Sequence, residues 1–172
     1  MNIFILGEIK MKIKVIAVGG TIDKVYFDAK SEFQVGEPQI KEVFDIANVT
    51  FDYNLVALIA KDSLEMTDAD RQIVHDYISN CQEKMILVTH GTDTMVETAR
   101  YLADVKDKTI VLTGAMQPAR MKSSDAVFNI GTAVGALQCL QPGAYVAMNG
   151  NIFKPENVRK NVTAGKFEHY EK

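Results

Sequence analysis

The chain has 172 residues, of which 47% are hydrophobic and 24% are charged. This length and composition are typical of one globular domain with a sizeable core, and they exclude a disordered chain. The formal net charge is −3 and no cluster of lysine and arginine stands out. Neither nucleic acid nor an anionic membrane surface is therefore an expected partner.

The beginning of the chain carries no recognisable export signal. Residues 1–6 are apolar but lack the basic start and the cleavage site of a secretory signal, and no apolar segment is long enough to span a bilayer. The two cysteines have neither a metal-binding nor a redox spacing. We therefore expect a cytoplasmic protein.

A second methionine, Met11, directly precedes a strand pattern. We interpret residues 1–11 as a spurious extension, with translation beginning at Met11, or as a short edge strand. Residues 12–172 contain no repeat, low-complexity segment or linker, so we predict a single domain over that range.

Taken in chain order, the predicted elements begin with a buried strand at residues 12–18, which stops at two glycines. Residues 22–36 have no clear period and predict a mobile loop or a hairpin. Strands and helices then alternate. The strands are predicted at 50–60, 84–88, 109–112 and 145–148, and the helices at 38–47, 67–80, 94–103 and 124–140. This alternation predicts an α/β fold with a doubly wound, mostly parallel sheet and helices on both faces, of the Rossmann or flavodoxin type.

Hydroxyl side chains lie beside glycines at the ends of three predicted strands. The segments are Gly19-Gly20-Thr21, Thr89-His90-Gly91-Thr92-Asp93-Thr94 and Thr113-Gly114-Ala115-Met116-Gln117-Pro118. Ligands bind beyond the carboxyl ends of the strands in such sheets. Glycine also lets backbone N–H groups approach a ligand and donate to a developing oxyanion. The sequence therefore predicts a ligand site at this edge.

A threonine hydroxyl needs a base or a charged neighbour to act as a nucleophile. Asp93 follows Thr92 directly, and Lys160 lies in a polar segment after the last predicted strand. A relay of these three residues requires Lys160 to fold back over the pocket. Each segment alone has a simpler interpretation: a tight turn at 19–20, helix caps at 92–94, a surface position for Lys160, and a packed, hydrogen-bonded ring for His90.

Further segments extend the pattern: Glu97-Thr98-Ala99, Ser124-Asp125-Ala126 with Phe128-Asn129, and Met148-Asn149 through Lys160. Together with the three strand ends, they resemble the signature series of the bacterial-type L-asparaginases in order and spacing. The resemblance covers roughly residues 12–165 and corresponds to the N-terminal, catalytic domain of that family. It implies hydrolysis of the asparagine side-chain amide to aspartate and ammonia, without a metal or a cofactor.

The resemblance also implies roles for single residues. Thr21 resembles the primary nucleophile, which the family carries on a flexible lid loop. Thr92 resembles the second threonine, and Lys160 and Asp93 would complete its triad. Asp93 would in addition hold the α-amino group of the substrate.

Substrate binding is implied at further positions. Ser63 resembles the serine that binds the α-carboxylate, and the preceding Asp62 is counted with it among the substrate-binding residues. Backbone N–H groups near Thr21 and Thr92, at Gly20 and Gly91 and with Ala115 nearby, would polarise the amide.

Three features depart from the family pattern. Phe33 stands where the family usually has a lid-loop tyrosine that helps to activate the first threonine, and Tyr26 on the same predicted loop is a candidate substitute. Leu64 stands where periplasmic-type members have a glutamine, which should weaken binding of the charged end of the substrate. Family members also continue into a smaller second domain, so with nothing after Lys172 we expect a more open and wetter pocket.

Three functions remain open on the sequence alone. Thr21, Thr92, Asp93 and Lys160 favour an asparaginase-type amidohydrolase. Phe33 and the absent second domain favour a catalytically impaired amino-acid-binding or interaction module. The open pocket favours hydrolysis of another small amide, such as glutamine. Because the family assembles as closely paired subunits, we also expect a homodimer.

Overall fold

The computed structural model describes residues 11–27 and 32–170, so all of the extension proposed at residues 1–11 except Met11 lies outside the described residues. The strands are β1 (Lys12–Gly19), β2 (Lys24–Phe27), β3 (Glu32–Val35), β4 (Asp52–Lys61), β5 (Met85–Thr89), β6 (Thr109–Thr113), β7 (Gly143–Met148), β8 (Asn151–Phe153), β9 (Val158–Asn161) and β10 (Lys166–His169). The helices are α1 (Ile40–Ile46), α2 (Asp68–Asn80), α3 (Met95–Tyr101) and α4 (Ala126–Cys139).

One sheet organises the fold, with strands in the order β4-β1-β5-β6-β7-β8. The first five are parallel, and β8 runs antiparallel to β7. When the β2–β3 hairpin is left out, the five parallel strands have the order 2-1-3-4-5 in chain numbering, which is the flavodoxin-like arrangement. The predicted doubly wound, mostly parallel sheet is therefore confirmed.

Helices cover both faces of the sheet because the central strands are apolar on both sides. Ile16 and Ile86 pack in a cluster with apolar residues of α2 and α3. Val15 and Leu87 pack in a second cluster with α1 and α4. Within the described part of the chain, none of the helices has the length and apolar character needed to cross a bilayer.

The N-terminus of α2 shows how local sequence fixes an element boundary. Thr67 is the N-cap predicted from its position before two acids. Its hydroxyl accepts a hydrogen bond from the Asp70 amide, and the Asp70 carboxylate accepts one from the Thr67 amide. Two of the otherwise unpaired N–H groups at the helix start are thereby satisfied.

Residues 24–27 and 32–35 form the antiparallel β2–β3 hairpin. This agrees with the hairpin alternative for residues 22–36 as far as the described residues go. Residues 145–148 were predicted as the last strand, and that was wrong: β8, β9 and β10 follow β7, and Lys160 lies on β9 opposite Phe167 of β10. These strands have three or four residues each and bury few apolar side chains, so they carry no periodic signal of the usual length.

Asp23 is a buried carboxyl at the end of the 3₁₀ turn Thr21–Asp23, which follows β1. Its Oδ1 accepts a hydrogen bond of 2.8 Å from the Gln39 amide, and its carbonyl accepts one from the Gly36 amide. Burial raises the pKa of Asp23 to about 6, although the Gln39 hydrogen bond acts in the opposite direction. The folded state therefore holds the Asp23 proton more tightly than the unfolded chain does.

We expect Asp23→Asn to stabilise the protein at pH 8 by about 1–3 kcal/mol. The raised pKa means that Asp23 lowers stability as pH rises from about 4 to about 6, and the neutral amide removes that loss while keeping an acceptor for Gln39. Urea unfolding at pH 4 and pH 8 measures the difference. Asp45→Asn on the exposed Lys41–Asp45 pair is the control, and an equal effect of Asp23→Asn at both pH values would contradict the prediction.

Candidate functional site

The carboxyl ends of β1 and β5 are neighbours in the sheet, at the point where the strand order reverses. Open α/β sheets bind ligands at such a point. β1 ends at Gly19 and leads into Thr21, and β5 ends at Thr89 and leads into residues 90–94. Two of the predicted hydroxyl-bearing segments thus lie side by side.

Glycine lets these two segments touch through their backbones. Gly20 has a φ of +92°, and a Cβ added there would lie 2.2 Å from the Cα of Gly91. A Cβ added to Gly91 would lie 2.5 Å from the Oγ of Ser63. No side chain fits between these backbones. The residues directly before Thr21 and Thr92 are therefore in contact with each other.

Lys160 reaches this edge from β9. Its Nζ donates to the Oγ1 of Thr92 over 2.7 Å and to the Oδ1 of Asp93 over 2.6 Å. Thr92 is 4% exposed, and the side chain of Lys160 is 14% exposed. The structure therefore brings together the hydroxyl, the ammonium and the carboxylate that the sequence analysis singled out.

Ser63 is buried beside Asp93 and faces the same site. The Ser63 Oγ accepts a hydrogen bond of 3.3 Å from the Asp93 amide, and its carbonyl accepts one of 2.7 Å from the Thr94 hydroxyl. Ser63 begins a single 3₁₀ turn, Ser63–Glu65, that directly follows β4 and Asp62. A third strand end thus contributes a hydroxyl to the site.

Asp62 is engaged by protein partners through both carboxylate oxygens. Its Oδ2 accepts from Lys24 Nζ over 2.6 Å and its Oδ1 accepts from the Leu64 amide over 3.1 Å. The hydrogen bond from Lys24 is the main cause that keeps the pKa of Asp62 below its usual value, and the charge of Lys160 adds to it. Lys24 was not singled out in the sequence.

His90 is fully buried directly before Gly91. Burial lowers the pKa of His90 to about 4, so the ring is neutral at pH 7. A carbonyl can only accept, so Nδ1 carries the proton and donates to the Gly91 carbonyl over 2.7 Å, and Nε2 accepts from the Thr98 hydroxyl over 2.8 Å. His90 is thus a packed, hydrogen-bonded histidine, as the sequence indicated.

The segment after β6 packs beneath the other two. A Cβ on Gly114 would lie 2.3 Å from the carbonyl oxygen of His90, so this glycine allows close approach to the β5 segment. Ala115 is fully buried in the cluster on the α1 and α4 face. A role for its backbone in polarising an amide stays a prediction.

Three polar residues help to hold the β9–β10 hairpin in place, and two of them, Asn129 and Asn149, lie in segments on which the resemblance rests. Arg100 of α3 donates from Nε to the Pro155 carbonyl over 2.9 Å. The Asn149 Oδ1 accepts from the Phe167 amide over 2.8 Å, and the Asn149 amide donates to Asn129 Oδ1 over 3.1 Å. These contacts fix the strand that carries Lys160. The role of Arg100 has no signal in a single sequence, because its partners are carbonyls of a segment 55 or more residues away.

Phe33 and Tyr26 lie opposite each other on the hairpin, with ring centroids 5.4 Å apart. Among the described residues, the Tyr26 hydroxyl has no hydrogen-bond partner, and Thr21 is not one. The replacement of the missing phenol by Tyr26 stays a prediction. Leu64 is 74% exposed and lines an open groove of 470 Å³ together with Phe33 and Asp62.

The fold and this edge define an α/β domain with a threonine–lysine–aspartate cluster at the switch point of a doubly wound sheet. The family model described as "Asparaginase, N-terminal" matches residues 12–169. The chain belongs to the asparaginase family.

Named relatives agree with this assignment. The chain is 33% identical over 171 residues to the glutaminase-asparaginase of Acinetobacter glutaminasificans, covering 89% of this chain and 50% of that protein. It is 34% identical over 170 residues to L-asparaginase 2 of Escherichia coli K12, covering 88% and 47%. The crystal structure of the probable cytoplasmic L-asparaginase from Campylobacter jejuni superposes with a TM-score of 0.78 at 29% identity, covering 93% and 52%. The chain spans about half the length of the curated relatives it matches.

We expect Gly20→Ala to destabilise the protein by at least about 2 kcal/mol, because it combines a strained positive φ with a clash against the Gly91 backbone. Gly131→Ala is the matched control. Apart from its chain neighbours and the backbone of its own helix, no atom of the described residues lies within 4 Å of a Cβ at Gly131 in α4, so this change should stabilise by about 0.5–1 kcal/mol. Chemical denaturation measures both, and equal effects would show that Gly20 is not a close-packing position.

Proposed function

We propose that this chain carries an amidohydrolase site that hydrolyses the side-chain amide of L-asparagine or a related small amide through a threonine nucleophile. The observation that carries the proposal is the contact of Lys160 Nζ with Thr92 Oγ1 at 2.7 Å and with Asp93 Oδ1 at 2.6 Å. The names of the relatives support asparagine and glutamine as the substrates to test first.

The direction of the Lys160 hydrogen bond determines whether the Thr92 hydroxyl can donate its own proton. The ammonium donates to the Thr92 oxygen, so the hydroxyl proton of Thr92 is free to point at a substrate. A positive charge at this distance favours loss of that proton. Asp93 balances the charge of Lys160 in this half-buried site. Thr92 is thereby suited to general acid–base work.

In the proposed reaction, the Thr21 hydroxyl oxygen attacks the amide carbon. The carbon–nitrogen bond breaks, the nitrogen leaves as ammonia after gaining a proton, and an ester links the acyl group to Thr21. Water then cleaves the ester, which gives the free acid and restores the Thr21 hydroxyl. Thr92 would pass the protons in both steps, and backbone N–H groups near Gly20 and Gly91 would polarise the amide.

Substrate binding follows from the groups that surround the cluster. The Asp93 carboxylate retains a second oxygen that accepts an α-amino group, since only Oδ1 contacts Lys160. We assign the α-carboxylate to the Ser63 hydroxyl, because this hydroxyl lies beside Asp93 and accepts from its amide. The carboxylate of Asp62 already binds Lys24 and the Leu64 amide, so we assign its contribution to holding the Ser63 turn.

We expect Thr21→Ala, Thr92→Ala and Lys160→Met each to lower kcat for amide hydrolysis by about 10²–10⁴-fold. Lys166→Met removes an exposed lysine from β10, the strand that pairs with β9, and should leave kcat within about twofold. Ammonia release from asparagine and glutamine measures the rates. If asparagine stabilises the wild type but no ammonia is released, the enzyme proposal is wrong and the chain is an amino-acid-binding module.

The Tyr26 prediction has its own test. Removal of an acid–base group lowers the rate by about 10²-fold or more, so Tyr26→Phe should reduce kcat to that extent if its hydroxyl replaces the missing phenol. The same change at another tyrosine, Tyr53→Phe on β4, provides the control. An unchanged kcat in Tyr26→Phe would remove Tyr26 from the site.

We also propose a cytoplasmic homodimer. Similarity to the probable cytoplasmic L-asparaginase from Campylobacter jejuni supports the compartment. For self-association, support comes from exposed apolar side chains on α1 and α4, namely Ile46, Val127 and Phe128. Sedimentation at several concentrations should show a dimer that Phe128→Ser weakens. A single monomer at all concentrations would contradict this part.

A further inference from the structure

An ion pair joins the segment of the proposed nucleophile to the turn of Ser63. Lys24 opens β2 three residues after Thr21, and Asp62 directly precedes Ser63. The Lys24 Nζ lies 2.6 Å from the Asp62 Oδ2, and the two side chains are 26% and 29% exposed. The pair thus bridges two segments that are 38 residues apart in the chain.

Asp62 acts on the Ser63 turn as well as on Lys24. Its Oδ1 accepts from the Leu64 amide and so caps the 3₁₀ turn Ser63–Glu65. One carboxylate therefore fixes the turn with one oxygen and ties it to the hairpin with the other. If Lys24 is displaced, Asp62 can still cap the Ser63 turn, but it no longer connects this turn to the segment that carries Thr21.

The two segments also follow strands that pair with each other, since β1 pairs with β4 as far as Gly19 and Lys61. The Gly20 amide donates to the Lys61 carbonyl over 3.0 Å, and a Cβ on Gly19 would lie 2.6 Å from the same oxygen. These backbone contacts hold the two strand ends as far as Gly20 and Lys61. The Lys24–Asp62 pair adds a side-chain attachment beyond the strand ends, between the residues that follow Thr21 and the residue that precedes Ser63.

We propose that Lys24 and Asp62 are positioning residues, whose ion pair holds the Ser63 turn at a fixed distance from Thr21. The inference rests on the proposed function, in which Ser63 binds one end of the substrate and Thr21 attacks the other. A small amino-acid amide can meet both groups at once only if their separation matches its length, and a loosened site binds it less well.

The strength of the Lys24–Asp62 ion pair determines how much its loss should weaken substrate binding. Both side chains are partly exposed, so the interaction is modest and salt screens it. Its loss should therefore weaken substrate binding without unfolding the domain. The proton chemistry at Thr92 does not touch Lys24, so kcat should change less than KM.

The test compares Lys24→Met with Lys41→Met, which breaks the exposed Lys41–Asp45 pair on α1. We expect Lys24→Met to raise KM by about 3- to 10-fold with a smaller change in kcat. Lys24→Arg keeps the charge and should restore KM to within about twofold of the wild type. The wild-type KM should rise with salt more steeply than that of Lys24→Met. An unchanged KM in Lys24→Met, or an equal increase in Lys41→Met, would overturn the proposal.

A second readout separates this proposal from the proposed function. Without substrate, amide hydrogen exchange at Gly20, Leu64 and Glu65 should accelerate in Lys24→Met and stay at the wild-type rate in Lys41→Met. If the wild type releases no ammonia from any amide, the proposed function fails, and the exchange rates still test the pair. If these amides exchange in Lys24→Met at the same rates as in the wild type, the Lys24–Asp62 pair does not hold the two segments in place.

Discussion

The site depends on one contact, the hydrogen bond from Lys160 to Thr92. The two residues are 68 positions apart in the chain, and the contact forms only because β9 returns to the carboxyl edge of the sheet. An ammonium held against a hydroxyl in a half-buried place is worth more electrostatically than one in open water. Several polar contacts support this arrangement, because the strand that carries Lys160 has little apolar surface of its own.

Polar side chains hold that strand together with two buried apolar residues of the hairpin, Val158 and Phe167. Asn129 donates to the Gly114 carbonyl and accepts from the Asn149 amide, so it links the segment after β6 to the end of β7. Asn149 in turn accepts from Phe167 of β10. A chain of hydrogen bonds thus connects the glycine segments at the sheet edge with the hairpin, and movement of either part would displace the other.

Sequence reasoning reached the parts of the fold that have a strong local signal. The strand at 12–18, the capped helix from Thr67 and the glycine-bounded strand ends all follow from patterns that lie within a few residues of each other. The β9–β10 hairpin could not be predicted in this way. A four-residue polar strand such as Val158–Asn161 is defined by its partner strand and not by its own composition. Lys160 was a relay candidate from the sequence and was supported by the resemblance, while its place on a strand needed the structure. The same limit applies to the Lys24–Asp62 pair, because nothing in the sequence near either residue indicates its partner 38 positions away.

The claim that Thr92 and Lys160 act together is tested most directly by a double-mutant cycle on Thr92→Ala and Lys160→Met, with kcat for amide hydrolysis as the readout. If Thr92 and Lys160 act as one unit, the double variant should be about as slow as the slower single variant. Two losses that multiply would mean that the residues act independently, and the account of the site would be wrong.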